Sequence, residues 1–246
     1  MGVLSSFKTS GAILKGSLIP YRARGYIFGD DFAREGVIPT GWPTIYQNAE
    51  TGAGGTNALD SGPNRLVLTT DANAGDDQSE RTSGLRIDRD YTSLITGMNQ
   101  TPTSQVEIYL PFSITSAADI EGFVGIHSGV SALTALPTTA RHLGVYWDIS
   151  AGANFMLTSS NGTTQVTVDT TTAVSTSIFI LRITWTGEDA ATIALLTAAG
   201  AASGTAQTVT AFNGAAGASH EIHWFVQTET TAAKVLRVYP WRVVWT

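Results

Sequence analysis

A two-residue rhythm constrains this chain more than any other feature. Val106, Ile108, Leu110 and Phe112 fall on one side of an extended backbone while Glu107 and Tyr109 fall on the other, because successive side chains of a strand point to opposite faces. Leu143, Val145, Trp147 and Ile149 repeat the pattern against Tyr146 and Asp148, and Ile222, Trp224 and Val226 repeat it against Glu221, His223 and Gln227. Over 178–185 both faces begin apolar: Phe179, Leu181, Ile183 and Trp185 alternate with Ile178 and Ile180 before Arg182 and Thr184. That is the mark of a central strand covered on both sides. Capped apolar stripes at helical spacing are nearly absent.

The same reading predicts shorter strands over 65–69, 84–88, 122–127, 154–158, 165–169, 192–197, 234–239 and 241–245, with surface loops over 52–57, 71–79 and 197–205. About a dozen strands without helical crossovers imply antiparallel pairing, hence an all-β sandwich or barrel. Charged residues are only 14% of the chain, so Thr, Ser, Asn, Gln and Gly must cover its surface. No apolar run reaches the ~20 residues that a membrane-spanning helix needs. A net charge of -6 argues against the basic stripe that nucleic acids require. The absence of cysteine removes disulfides, thiolate catalysis and Cys-ligated zinc together.

The beginning of the chain differs from the rest. Residues 1–29 carry Lys8, Lys15, Arg22 and Arg24 with no acid, whereas the body is strongly acidic. Apolar residues there are broken up by Gly11, Gly16 and Pro20, too irregular for a long amphipathic helix. Two parts are therefore expected: an extended arm over 1–28 and a single β domain over 29–246. Leu4, Phe7, Lys8, Ile13, Leu14, Lys15, Leu18 and Ile19 are the arm residues expected to dock onto a partner or a neighbouring subunit.

Chemistry is harder to find. A retaining glucanase needs two carboxylates about 5 Å apart, and no single strand carries them in alternation. The same-face successors of Glu107 are Tyr109 and Pro111, and those of Glu221 are His223 and Phe225. Carboxylates from separate strands remain the one route to such a pair. None of His127, His142, His220 and His223 lies near a Gly-x-Ser-x-Gly elbow. The spacing of His220 and His223 sends them to opposite faces of a strand, against a shared metal. Asp30-Asp31, Asp76-Asp77, Asp88 and Asp90 offer hard oxygens but lack the order of a calcium loop. No catalytic residue, metal or cofactor is expected. Trp42, Tyr46, Tyr109, Tyr146 and Trp241 are the candidate sugar-stacking aromatics.

The order of pieces carries a resemblance. Val106-Glu107-Ile108-Tyr109-Leu110-Pro111-Phe112 is followed by Gly122-Phe123-Val124-Gly125-Ile126, by Gly144-Val145-Tyr146-Trp147-Asp148 and by Asn154-Phe155-Met156-Leu157-Thr158-Ser159. Phe179-Ile180-Leu181-Arg182-Ile183-Thr184-Trp185 and Ile193-Ala194-Leu195-Leu196 come next, before a closing pair at 223–230 and 234–238. Across roughly 28–245 this resembles the concanavalin-A-like lectin/glucanase jelly roll, in the divergent form of structural proteins of tailed bacterial viruses. The resemblance implies an antiparallel β-sandwich in a virion, synthesised in the host cytoplasm. Joined to the missing catalytic constellation, it leads us to expect a non-enzymatic particle protein. That would be a capsid decoration or head-fibre protein, held through its arm to the major capsid protein or other virion proteins and self-associating. Binding of surface glycans by a receptor-binding or tail protein is the alternative; nucleic acid and membrane are not expected partners.

Overall fold

The computed structural model describes residues 26–30, 46–51, 54–60, 65–82, 106–129, 131–186, 190–212 and 220–245. The predicted strand at 84–88 lies outside them. Among the described residues every regular element is a strand: β1 (Tyr26–Asp30), β2 (Tyr46–Thr51), β3 (Thr56–Asp60), β4 (Arg65–Thr69), β5 (Asp77–Thr82), β6 (Val106–Ile114), β7 (Ile120–His127), β8 (His142–Asp148), β9 (Asn154–Ser160), β10 (Gln165–Ala173), β11 (Phe179–Trp185), β12 (Ala191–Thr197), β13 (Gln207–Val209), β14 (Glu221–Thr228), β15 (Val235–Val238) and β16 (Trp241–Trp245).

These strands form two sheets. One runs β13-β12-β11-β6-β15-β4-β3, with β16 also paired to β6 and β1 paired to β16; the other runs β10-β9-β8-β7-β14-β5-β2. All pairings are antiparallel, as the sequence pattern requires. β6 is the seam of the larger sheet. One flank bonds along its length to β11, while the other is shared between β16, opposite Val106–Tyr109, and β15, opposite Phe112–Ile114. Tyr239 between those two strands donates its N–H to the Pro111 carbonyl at 3.0 Å. Pro111, which has no N–H to give, thus sits where the flanking strand changes.

The facing sides of the sheets make the core. Phe112 and Trp147, from opposite sheets, stack at 5.5 Å with their planes 5° apart, and Phe155 and Phe179 meet them edge-on or tilted. Each such ring removed from water contributes on the order of 2–3 kcal/mol. Trp147, Trp185 and Trp224 are fully buried, as the alternation predicts.

Several expectations are corrected. Trp241, a candidate stacking residue, is 2% exposed and packs on Trp224 at 6.2 Å between ring centroids. β3 and β5 occupy parts of the predicted loops 52–57 and 71–79, because β5 (Asp-Gln-Ser-Glu-Arg-Thr) is polar on both faces and carries no apolar rhythm. β1 draws residues 26–28, counted with the arm in sequence, into the larger sheet by pairing with β16. His220 and His223 do take opposite sides of β14: His220 packs inside on Trp185 and Phe212, and His223 packs outside on His127.

Candidate functional site on the outer face of the smaller sheet

Register across β8, β7, β14 and β5 lays the outward side chains in rows. Asp148, Glu121, Gln227 and Asp77 form the first, Tyr146, Phe123, Phe225 and Ser79 the second, and Gly144, Gly125, His223 and Arg81 the third. His142, His127 and Glu221 form the fourth. Two glycines stand opposite each other for a steric reason: a Cβ on Gly144 would lie 2.6 Å from Cζ of Phe123 and 2.7 Å from the Val124 carbonyl oxygen. Their bareness is what lets the Phe123 ring lie flat on the sheet.

At the open end three carboxylates converge. Glu121 on β7, Asp148 opposite it on β8, and Glu229 just past β14 each offer an oxygen within 4.8 Å of the other two. All three are half-buried. Burial pushes Glu121 up to about 7, helped by the charges of Asp148, Glu229 and Asp77. Burial likewise raises Glu229, followed by the charge of Asp148 and a hydrogen bond with it. Like charges this close cannot all ionise, so the trio holds a proton near neutrality. Its chemistry is that of an acid beside its conjugate bases, and its hard oxygens are also the ligand type that divalent cations take.

Beside the trio stands Tyr146, half-buried, opposite Phe123 on the ladder and packed against the cluster of Phe123, Phe225 and Leu133. Its hydroxyl bonds Thr167, and burial, then the charge of Asp148, raises its pKa. The other half of the face is covered. Leu133 and Leu136, from the connection between β7 and β8, close over Phe123, Phe225 and Tyr146. Under that connection lie His127, His142 and His223, and Arg81 ion-paired with Glu221. Burial first of all pushes His127 and His142 down to about 4 and His223 to about 3. They are neutral buried rings, and His142 is hydrogen-bonded to the Ala140 carbonyl and Thr158 Oγ1 while His127 accepts from the Gly129 N–H.

Of the five aromatics singled out in sequence, Tyr146 joins the carboxylates. Tyr109 lies on the outer face of the other sheet, buried, donating to Glu107 Oε2 at 2.8 Å beneath the Arg242 guanidinium at 4.8 Å. Tyr46 opens β2 opposite Thr82. Trp42 and the arm residues Leu4, Phe7, Lys8, Ile13, Leu14, Lys15, Leu18 and Ile19 lie outside the described residues. Glu107 and Glu221, the carboxylates weighed in sequence, face outward from different sheets, and neither belongs to the trio. Sequence reasoning missed Glu121, because the strand predicted at 122–127 begins one residue after it, whereas β7 begins at Ile120.

The two packed antiparallel sheets form a β-sandwich whose fold matches that of concanavalin-A-like lectin/glucanase structures. No family model matches the sequence, and no curated protein does. Solved structures share the fold at low identity. An immunostimulatory antigen and pseudo β-1,3-glucanase of Mycobacterium tuberculosis superposes with a TM-score of 0.63 at 12% identity, covering 91% of this chain and 100% of its own. Peanut lectin does so at 0.55 and 11%, covering 91% and 98%. The CBM2 module of the evolved Dit of Lactobacillus casei BL23 phage J-1 gives 0.57 and 13%, covering 89% and 94%. A glycoside hydrolase family protein of Mycobacterium thermorestibile and an endo-acting O-glycanase of the human gut microbiota are also among these structures. They overturn the expectation that the chain is not an enzyme. The expectation rested on no single strand carrying the carboxylates in alternation, whereas here β7, β8 and the residue just past β14 bring three together.

Proposed function

We propose that this chain is a carbohydrate-binding, lectin-like module whose glycan surface is the open half of the outer face around Tyr146. The observation that carries this reading is the setting of Tyr146: a half-buried ring packed against the Phe123, Phe225 and Leu133 cluster, with Asp148 two residues along the strand and Glu121 across the ladder from Asp148. An aromatic face packs on the C–H face of a pyranose, and carboxylates beside it accept hydrogen bonds from sugar hydroxyls. The lectin and the phage module that share the fold support the reading. The setting we propose is the surface of a virus particle, with residues 1–25 as the arm that docks to capsid or other virion proteins. A glycan array probed with the intact chain and with Tyr146→Ala tests the surface. Roughly tenfold weaker binding is expected of the variant, as loss of one aromatic contact implies; equal binding by both, or none by either, refutes it. Co-sedimentation with particles, lost on deletion of 1–25, tests the setting.

A second reading, hydrolysis of the bound glycan, is favoured by the carboxylate trio. Glu121, which burial pushes up to about 7, would serve as the general acid, with the carboxyl groups of Asp148 and Glu229 beside it. Release of reducing sugar that Glu121→Gln abolishes is the expected sign; no release from any glycan the chain retains would exclude it.

A further inference from the structure

The connection between β7 and β8 is longer than the topology needs. Their ladder runs to His127 opposite His142 and continues by one bond, Ser128 N–H to the Arg141 carbonyl at 2.9 Å, where a two-residue turn would close the hairpin. The chain instead crosses the outer face and sets Leu133 and Leu136 on Phe123, Phe225 and Tyr146. Connections of this kind that exceed the structural need are commonly functional.

Its attachments are uneven. Residues 137–141 are hydrogen-bonded to the body: Gln165 Nε2 donates to the Pro137 carbonyl at 3.1 Å, and Ser160 Oγ to that of Thr139 at 3.1 Å. His142 Nδ1 donates to the Ala140 carbonyl at 2.8 Å, and Arg141 Nε to that of Asn161 at 3.1 Å. Among the described residues, 131–136 make no such bond and are held by the two leucines. At the neck, Gly129 donates its N–H to His127 Nδ1 at 2.8 Å. That bond requires the nitrogen to be unprotonated.

We propose that residues 131–136 are a cover that hinges at Pro137 and lifts in acid, when His127 takes a proton and no longer accepts from Gly129, laying Phe123 and Phe225 open beside Tyr146. The groups facing His127 favour release once it is charged. His142 on β8 lies 6.3 Å away and His223 on β14 lies 5.1 Å away, ring centre to ring centre. Arg81 on β5 is a fixed cation, and Glu221, opposite His127 on β14, is already committed to Arg81. A protonated His127 therefore stands under apolar cover among like charges, and burial places its titration at about pH 4. The use of the uncovered rings by a glycan rests on the function proposed above; the movement does not.

Hydrogen–deuterium exchange of the intact chain at pH 7 and pH 3.5, corrected for intrinsic rates, tests the movement, with the core strand β11 as the control for global unfolding. The expected result is a loss of protection of about tenfold or more at the Ser128 and Gly129 amides, which are bonded at the neck of the cover, in acid with β11 unchanged. His127→Asn places a non-titrating acceptor near Nδ1 and is expected to keep the cover shut at pH 3.5. Leu133→Ser is expected to open it at pH 7. Unchanged protection of the Ser128 and Gly129 amides in the wild type, or an equal acid response in His127→Asn, overturns the proposal. Opening without glycan capture on the array leaves the cover standing and defeats the glycan reading; capture without opening does the reverse.

Discussion

Glu80 lies on the inner side of β5, 2% exposed, with its Oε2 accepting from Asn57 Nδ2 at 2.9 Å. Burial pushes its pKa from 4.5 up to about 8, against the smaller lowering by Asn57 and by the charge of Arg81. At neutral pH the folded protein therefore carries a neutral acid there, while the unfolded chain carries a carboxylate. A pKa raised on folding gives stability that is full below pH 4.5 and is lost as pH rises through about 8. At pH 7 the loss is about 3 kcal/mol, at a little over 1 kcal/mol per pH unit. Glu80→Gln keeps the shape and the acceptor for Asn57 and removes the titration. Equilibrium urea denaturation of both proteins between about pH 4 and 8 isolates this group, because the other titrating residues bend both curves alike. The variant should match the wild type in acid and exceed it by about 3 kcal/mol at pH 7. A difference that does not change with pH would refute the reasoning.

Glu121, pushed up to about 7 among its carboxylate neighbours, also loses stability as pH rises above 4.5. It is half-exposed and screened, so Glu121→Gln should gain only about 1 kcal/mol at pH 8 and nothing at pH 4 in the same measurement. Gly144→Ala drives a methyl group into the Phe123 ring and the Val124 carbonyl. It should cost about 1–3 kcal/mol, read as a fall of several degrees in melting temperature.

What the sequence disclosed follows from what each strand has to bury. β6, β8, β11 and β14 bury one apolar face or two, so their spacing announces them. β5 has a buried inner face made of Gln78, Glu80 and Thr82, satisfied in part by Asn57 and by the Ile222 N–H, which donates to Thr82 Oγ1 at 3.0 Å. Buried polar residues partnered by distant strands leave no local signal. The candidate site divides the same way. Tyr146 and Asp148 were legible as one outward face, because both lie on one strand. Their meeting with Glu121 and Glu229 depends on β7 lying between β8 and β14, a register across distant segments that alternation within a strand does not encode.

The divided flank of β6 has a consequence for how this protein is made. Both Val106–Tyr109 and the early strand Tyr26–Asp30 find their partner in Trp241–Trp245, so neither can be satisfied until that late stretch has left the ribosome. Pairings so remote in sequence fold slowly, and the nascent chain meanwhile displays unbonded edges to its neighbours on the same message. Yield in a host should therefore respond to the tempo of translation and to chaperone supply more sharply than the finished sandwich would suggest.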